Sequence, residues 1–216
     1  MDVQQTMINK VVTMLEMQDA MNRKVDEDWL ERDREWYRAV WIECAELMDH
    51  YGGWKWWKAS QPDIEQVMLE IVDIWHFGLS MQITAARDFV SVAERLMDDW
   101  HTATASDGFL HDVEAMAAAV LSDRRFPVAV VKNMLTGIER DFDDLFAGYV
   151  GKNVLNFFRQ DHGYKQGDYI KVWDGKEDNV HLVEIMQSVD LDSSTLQDDV
   201  YQHLNTRYKM MAENSR

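Results

Sequence analysis

Apolar residues recur along most of this chain with the 3.6-residue period of an α-helix, and breaks in that period divide it into segments. In residues 3–22, Met7, Val11, Met14, Gln18 and Met21 fall on one stripe, which predicts a helix with a single polar intruder. Residues 23–32 are charged and read as an irregular connection. A second helix is expected over about 34–50, and a third from about 62 to at least 81, with a continuation to 100 left open. Ser60, Pro62 and Asp63 read as its start: a serine cap, an early proline and an acid three residues on. After the turn signal Asp107-Gly108, an alanine-rich helix is expected over 109–122 and another over about 128–147, ended by Gly148 and Gly151. A short helix over 179–188 and a final one, opened by a capping box at Ser194 to Gln197 and running to about Met211, complete the pattern. The expected class is all-α, a helical bundle.

Two apolar stripes are interrupted by acids. Trp36, Val40, Glu43, Cys44 and Leu47 form one, and Val67, Glu70, Ile71, Ile74 and Gly78 the other. Each glutamate has a second acid one turn on, as Glu43-x-x-Glu46 and Glu70-x-x-Asp73, so both carboxylates of a pair share a helix face. Two such helices laid antiparallel would point four carboxylates into one space. Buried carboxylates are costly, and two charges ~4 Å apart repel by about 4 kcal/mol even at an effective dielectric of ~20. Cations are therefore required. Oxygen ligands without a histidine or thiolate bias suit Mg²⁺ or Mn²⁺. Acid pairs of this spacing also decorate solvated helices. Here the apolar stripes set them apart, together with the run Trp54, Lys55, Trp56, Trp57 and Lys58 between them.

Composition narrows the partners. The chain has 216 residues, and its 22 Lys and Arg against 39 Asp and Glu leave a net charge of −17, which argues against a nucleic-acid surface. With two prolines and ten glycines, long helices meet few breaks. The single cysteine, Cys44, cannot form an intrachain disulfide, so a reducing compartment is expected. No leader-like or membrane-length apolar run is present, so the expected location is the cytoplasm, with no membrane partner. Residues 152–173 depart from the acidic trend: Lys152, Arg159, Lys165 and Lys171 outnumber Asp161 and Asp168. Lys152, Asn156 and Arg159 share one helical face, and their donors suit phosphate oxygens. Gln18 and Asn22, one turn apart, offer two amides to the edge of a base.

Taken together, these segments resemble the dimeric all-α dUTPases, a branch of the all-α nucleoside triphosphate pyrophosphatases. The resemblance rests on Met17-Gln18 with Asn22, the pair Glu43 and Glu46, and the run Trp54 to Lys58. It continues through Glu70-Ile-Val-Asp73-Ile-Trp-His76-Phe77 and through Lys152, Asn156 and Arg159 into Gly163, Tyr164, Lys165, Tyr169 and Lys171. These occur in the family's order over about 14–173, whereas 84–148 and 174–216 match no motif. The resemblance implies one all-α domain over 1–216, with core motifs at 14–82 and 152–173 and a four-helix metal-binding core plus additional helices.

It also implies roles. Glu43, Glu46, Glu70 and Asp73 would hold two or three Mg²⁺, with Mn²⁺ an alternative, and Glu46, beside Glu43, would deprotonate the attacking water. Lys152, Asn156, Arg159, Lys165 and Lys171 would grip phosphates, with Lys58 and Tyr164 in the same substrate-binding set. Trp57, His76 and Phe77 would form the nucleoside pocket, and Gln18 and Asn22 would read uracil. The reaction implied is hydrolysis of dUTP, and of dUDP, to dUMP, with pyrophosphate released from dUTP. The protein implied is a homodimer, in a host's cytoplasm if its source is viral. The basic segment is expected to order on substrate binding. Three alternatives are kept. A related pyrophosphatase acting on dCTP or another nucleotide would keep the acids and change the base pocket. A di-iron bundle would need two Glu-x-x-His motifs, and beside the acidic pairs there is only Asp73-x-x-His76. An acidic interaction protein would show no metal-dependent stabilisation.

Overall fold

The computed structural model describes residues 3–102, 104–191, 193 and 195–214. Among them are the helices α1 (Val3–Val25), α2 (Trp36–Tyr51), α3 (Ile64–Ala85), α4 (Phe89–His101), α5 (Phe109–Ser122), α6 (Val128–Gly137), α7 (Phe142–Asp161), α8 (Asp178–Met186) and α9 (Leu196–Asn214). One small antiparallel hairpin joins β1 (Val172–Trp173) to β2 (Lys176–Glu177). The all-α expectation holds, and no helix among the described residues is long and apolar enough to cross a membrane.

α3 is the axis of the molecule because its sequence is apolar on most sides. Val67, Ile71, Val72, Ile74, Trp75, Leu79 and Ile83 are all buried, and α1, α2, α4, α6 and α7 pack around it. Fully burying one such side chain contributes about 1.5–3 kcal/mol. The unassigned stretch 84–148 supplies part of this cover: Trp75 meets the Trp100 edge at 6.5 Å and Phe126 at 5.9 Å. α2 and α3 form a helical hairpin, closed where the Asp63 amide donates to the His50 carbonyl at 3.0 Å.

Several boundaries differ from expectation. α3 is capped by Asp63, whose carboxylate accepts from the Gln66 amide at 3.2 Å. Ser60 instead accepts from the Gly53 amide and ties down the connecting loop. α3 stops at Ala85 because Ala86 is extended, and Asp88 caps α4 separately, which lets α4 turn back against α1 and α6. The expected helix over 128–147 is two helices: Glu139 adopts a positive φ of 57°, and Asp141 opens α7 with a capping box. α7 then runs straight through Gly148 and Gly151. These glycines allow close packing and do not end the helix. A Cβ at 148 would lie 3.0 Å from Val72, and one at 151 would lie 2.6 Å from the Met186 sulfur.

The hairpin over 172–177 is an addition to the helical pattern, and Asp174-Gly175 is its signal. The expected box at Ser194 falls outside the described residues, and α9 continues past Met211. A second hydrophobic cluster joins the C-terminal half of α7 to the hairpin, α8 and α9 through Phe158, Trp173, Leu182, Ile185, Val200 and Leu204.

Gly78 provides a test of the packing around α3. A Cβ there would fall 2.2–2.4 Å from three ring atoms of buried Phe126. Gly78→Ala is expected to destabilise the fold by about 1–3 kcal/mol through overpacking, outweighing the roughly 1 kcal/mol by which alanine favours a helix over glycine. Urea unfolding measures this, and Phe126→Leu in the same chain should recover part of the loss. An unchanged midpoint would refute the packing argument.

Candidate active site

The α2–α3 hairpin brings Glu43, Glu46 and Glu70 together, with one oxygen of each within 4.8 Å of the others. The i, i+3 spacing turns Glu43 and Glu46 to one face, and the hairpin sets Glu70 opposite them. Glu70 is buried, Glu43 half-buried and Glu46 exposed. Burial, the nearby Asp73 and a proton shared with Glu70 push the Glu43 carboxyl up to about 9. Burial and Asp73 also raise Glu70. The neighbouring Cys44 thiol is pushed up to about 12 by burial and by Glu43, so it offers no thiolate. Three close oxygen donors, one of which retains a proton to high pH, form a set short of positive charge. A hard divalent cation fits that set.

Asp73, near enough to raise Glu43 and Glu70, lies outside that close set of three. Its Oδ2 accepts an ion pair from Lys152 at 2.8 Å, and its Oδ1 lies 4.0 Å from His76. It also lines a cavity of about 200 Å³ together with Gln18, Asn22, His76, Phe77 and Asn156. The cavity wall is completed by Trp29, Arg34 and Trp36 among others, and Trp36 stacks on Phe77 at 6.2 Å. Larger hollows of about 320 and 570 Å³ lie beside α7. Of the acids lining the larger one, Asp141 and Asp144 cap α7 and Asp143 pairs with Lys10, and neither hollow is lined by the carboxylate cluster.

A closed hydrogen-bond network backs the cavity. The single Tyr149 hydroxyl proton faces two acceptors, the Met14 carbonyl at 2.8 Å and Gln18 Oε1 at 3.0 Å. The Gln18 amide donates to Asn22 Oδ1 and Ser80 Oγ, both at 3.1 Å, and Asn22 donates to Ser80 Oγ at 3.0 Å. Both Gln18 N–H groups are therefore committed inside the protein, while Asn22 keeps one N–H and one lone pair. Burial pushes the His76 imidazole down to about 4, so it is neutral. Its Nδ1 donates to the Val72 carbonyl at 2.8 Å, and Tyr149 stacks on its ring at 4.1 Å. His76 Nε2 is thus a bare acceptor, and it is buried without a hydrogen-bond partner among the described residues, as is the Trp36 indole N–H.

α7 carries the cations. Lys152 is buried against Asp73 and also donates to Asn179 at 3.1 Å. Arg159 donates to Asn156 at 3.1 Å and forms a two-pronged pair with Asp178. Tyr164 sits with its ring 5.9 Å from the Arg159 guanidinium.

The remaining candidates lie elsewhere. Lys165 donates to the Val25 carbonyl at the end of α1, and Lys171 pairs with Glu177. Trp57 and Lys58 are exposed on the α2–α3 loop, where Trp57 packs edge-on against Trp54 and Trp56. Sequence reasoning missed Ser80, Trp36, Tyr149 and His50, whose Nε2 lies 3.7 Å from Glu70. His50 and Ser80 had a signal, being one turn beyond Glu46 and His76 respectively. Tyr149 had none, because nothing local ties α7 to α1.

A protein-family model described as dUTPase matches residues 10–164, most of the chain. No curated protein matches it.

The carboxylate cluster gives a pH test. Between the ordinary value of 4.5 and about 9, folded Glu43 holds a proton that the unfolded chain releases. Stability of the metal-free protein should therefore fall as pH rises through that window. Thermal melts in chelator from pH 5 to 9 should show this slope, flattened in Glu43→Gln. Divalent cation added at pH 8 should raise the melting temperature of the native sequence more than that of the variant. A flat native profile would remove the clustered-carboxylate account.

Proposed function

The chain belongs to the all-α dUTPase family and is a dUTP diphosphatase, and from that premise we propose that it converts dUTP, and also dUDP, to dUMP with Mg²⁺ held by Glu43, Glu46, Glu70 and Asp73. The observation that carries this reading is the junction at Asp73. There the proton-bearing carboxylate cluster meets a cavity lined by amide, imidazole and aromatic side chains. Two or three Mg²⁺, or Mn²⁺ in their place, would neutralise the phosphates and acidify water.

The chain's own residues do the rest. Glu46 takes the proton from the attacking water, and Glu43 orients that water. The water oxygen forms a bond to phosphorus in line as the bond between that phosphorus and the α,β-bridging oxygen breaks, and the electron pair stays on the bridging oxygen of the departing group, giving dUMP with pyrophosphate, or with phosphate from dUDP. Lys152 and Arg159 stabilise the charge that develops on the phosphates, and Asn156 donates beside them. Lys165, Tyr164 and Lys171 from the turn and hairpin, and Lys58 and Trp57 from the α2–α3 loop, join the substrate on closure. Lys165 must first leave the Val25 carbonyl and Lys171 must leave Glu177.

Base choice follows from protonation. A neutral His76 offers Nε2 as an acceptor, which a uracil N3–H satisfies and a cytosine N3 lone pair repels. The Trp36 N–H suits a uracil carbonyl. Asn22 addresses the base edge while Gln18, locked by Tyr149 and Ser80, fixes the orientation of Asn22. This favours dUTP over the dCTP alternative. A single domain over 1–216, a homodimer and a cytoplasmic location belong to the same reading. The two hydrophobic clusters meet along α7 and so support one domain.

Incubation with dUTP, dUDP, dCTP and dTTP, each with and without Mg²⁺, tests the whole. dUMP should form from dUTP and dUDP only with metal, and faster turnover of dCTP would favour the related pyrophosphatase. Glu46→Ala should lower turnover by roughly 10²–10⁴-fold with the fold retained, and undiminished Mg²⁺-dependent turnover would reject its role. Hydrogen exchange of residues 152–171 should slow with a non-hydrolysable dUTP analogue, whereas equal protection in both states would dismiss closure.

A further inference from the structure

The grip on Arg159 comes from a part of the chain that the family match does not reach. Asp178 opens α8, beyond residue 164 where that match ends, and has no exposed surface. Its two carboxylate oxygens accept from Arg159 Nε and Nη2, each at 2.8 Å, and Oδ2 also accepts from the Tyr169 hydroxyl at 2.8 Å. The next residue, Asn179, places one oxygen between the two α7 cations, at 3.3 Å from Arg159 Nη2 and 3.1 Å from Lys152 Nζ. Burial alone would raise the Asp178 carboxyl, but Arg159 and Tyr169 hold it below the ordinary carboxylate range. The backbone fixes it as well, since the Asp178 amide donates to the Lys171 carbonyl across the hairpin base.

A buried ion pair of this kind adds little net stability over an apolar pair of similar volume. What it supplies is direction. A guanidinium on a flexible stem loses less freedom on binding a phosphate when one edge is already fixed. Here Nε and Nη2 are occupied by Asp178 and Asn179, Nη1 gives one N–H to Asn156 of the cavity wall, and its second N–H remains for the nucleotide.

We propose that Asp178 is a positioning residue for dUTP hydrolysis: it clamps the far edge of Arg159 so that the Nη1 edge meets the substrate phosphates. The C-terminal hairpin and α8, outside the matched region, are thereby part of the working site. This rests on the reading of Arg159 as a phosphate ligand.

A double-mutant cycle in the full chain, read as kcat/KM for dUTP, tests it with Asp178→Asn, Arg159→Ala and the pair. Arg159→Ala sets the loss due to the guanidinium itself. Asp178→Asn is expected to cost about 10–100-fold when Arg159 is present, and less than about threefold when Arg159 is already alanine. Competitive inhibition by deoxyuridine, which carries no phosphate, should stay unchanged, whereas a loosened fold would weaken it too. Equal losses in both backgrounds, or full activity of Asp178→Asn, would overturn the proposal. Full activity of Arg159→Ala would instead reject the phosphate role of Arg159 and take the proposal with it. If Asp178→Asn does not fold, Tyr169→Phe replaces it in the cycle, because it removes only one hydrogen bond from the carboxylate. Its loss, about threefold to tenfold, should again vanish without Arg159, and persistence of that loss would be equally fatal.

Discussion

Four acids brought together on one helical hairpin repel each other, and much of this structure answers that repulsion. Glu43 keeps a proton well past the pH at which a free carboxylate loses it. Glu70 has His50 at its side, and Asp73 is neutralised by Lys152 from α7. None of this is the arrangement a stable core would select, because buried like charges cost free energy that packing elsewhere must offset. The offset lies on the other faces of α3, where α1, α4, α6 and α7 cover a nearly continuous apolar surface. The helix that carries Glu70 and Asp73 also contributes the most buried residues among the described helices.

The same low-dielectric surroundings sharpen the cavity. Water would blur the difference between an acceptor and a donor on His76. Burial removes that blur by holding the ring neutral and committing Nδ1 to Val72. Gln18, Asn22 and Ser80 form a ring of bonds, with the Tyr149 hydroxyl beside it at Gln18 and Met14, so the amides cannot turn independently. A base pocket built this way discriminates through the cost of leaving such groups unmatched as much as through its attraction for the matching base.

α7 integrates these parts. Along one helix it sets Tyr149 on His76, Lys152 on Asp73, Asn156 in the cavity wall and Arg159 on Asp178. Gly148 and Gly151 let it sit close to α3 and α8. The second hydrophobic cluster, with Phe158 and Trp173 at its centre, holds the C-terminal elements against its last turns. Cations drawn from a distant helix therefore reach the acids with their positions already set.

Local periodicity alone determined that the chain is helical and that Glu43 with Glu46, and Glu70 with Asp73, face the same way. It also placed Lys152, Asn156 and Arg159 on one face. These are short-range properties, written within a turn or two of each helix. Which faces meet is a matter of packing between elements far apart in the chain, and no spacing encodes it. Only the tertiary structure decided that Asp73 pairs with Lys152 while the three glutamates cluster, and that Tyr149 and Ser80 lock Gln18. It likewise decided that Trp57 stands in solvent, that two glycines seat a helix without ending it, and that Asp178 holds Arg159.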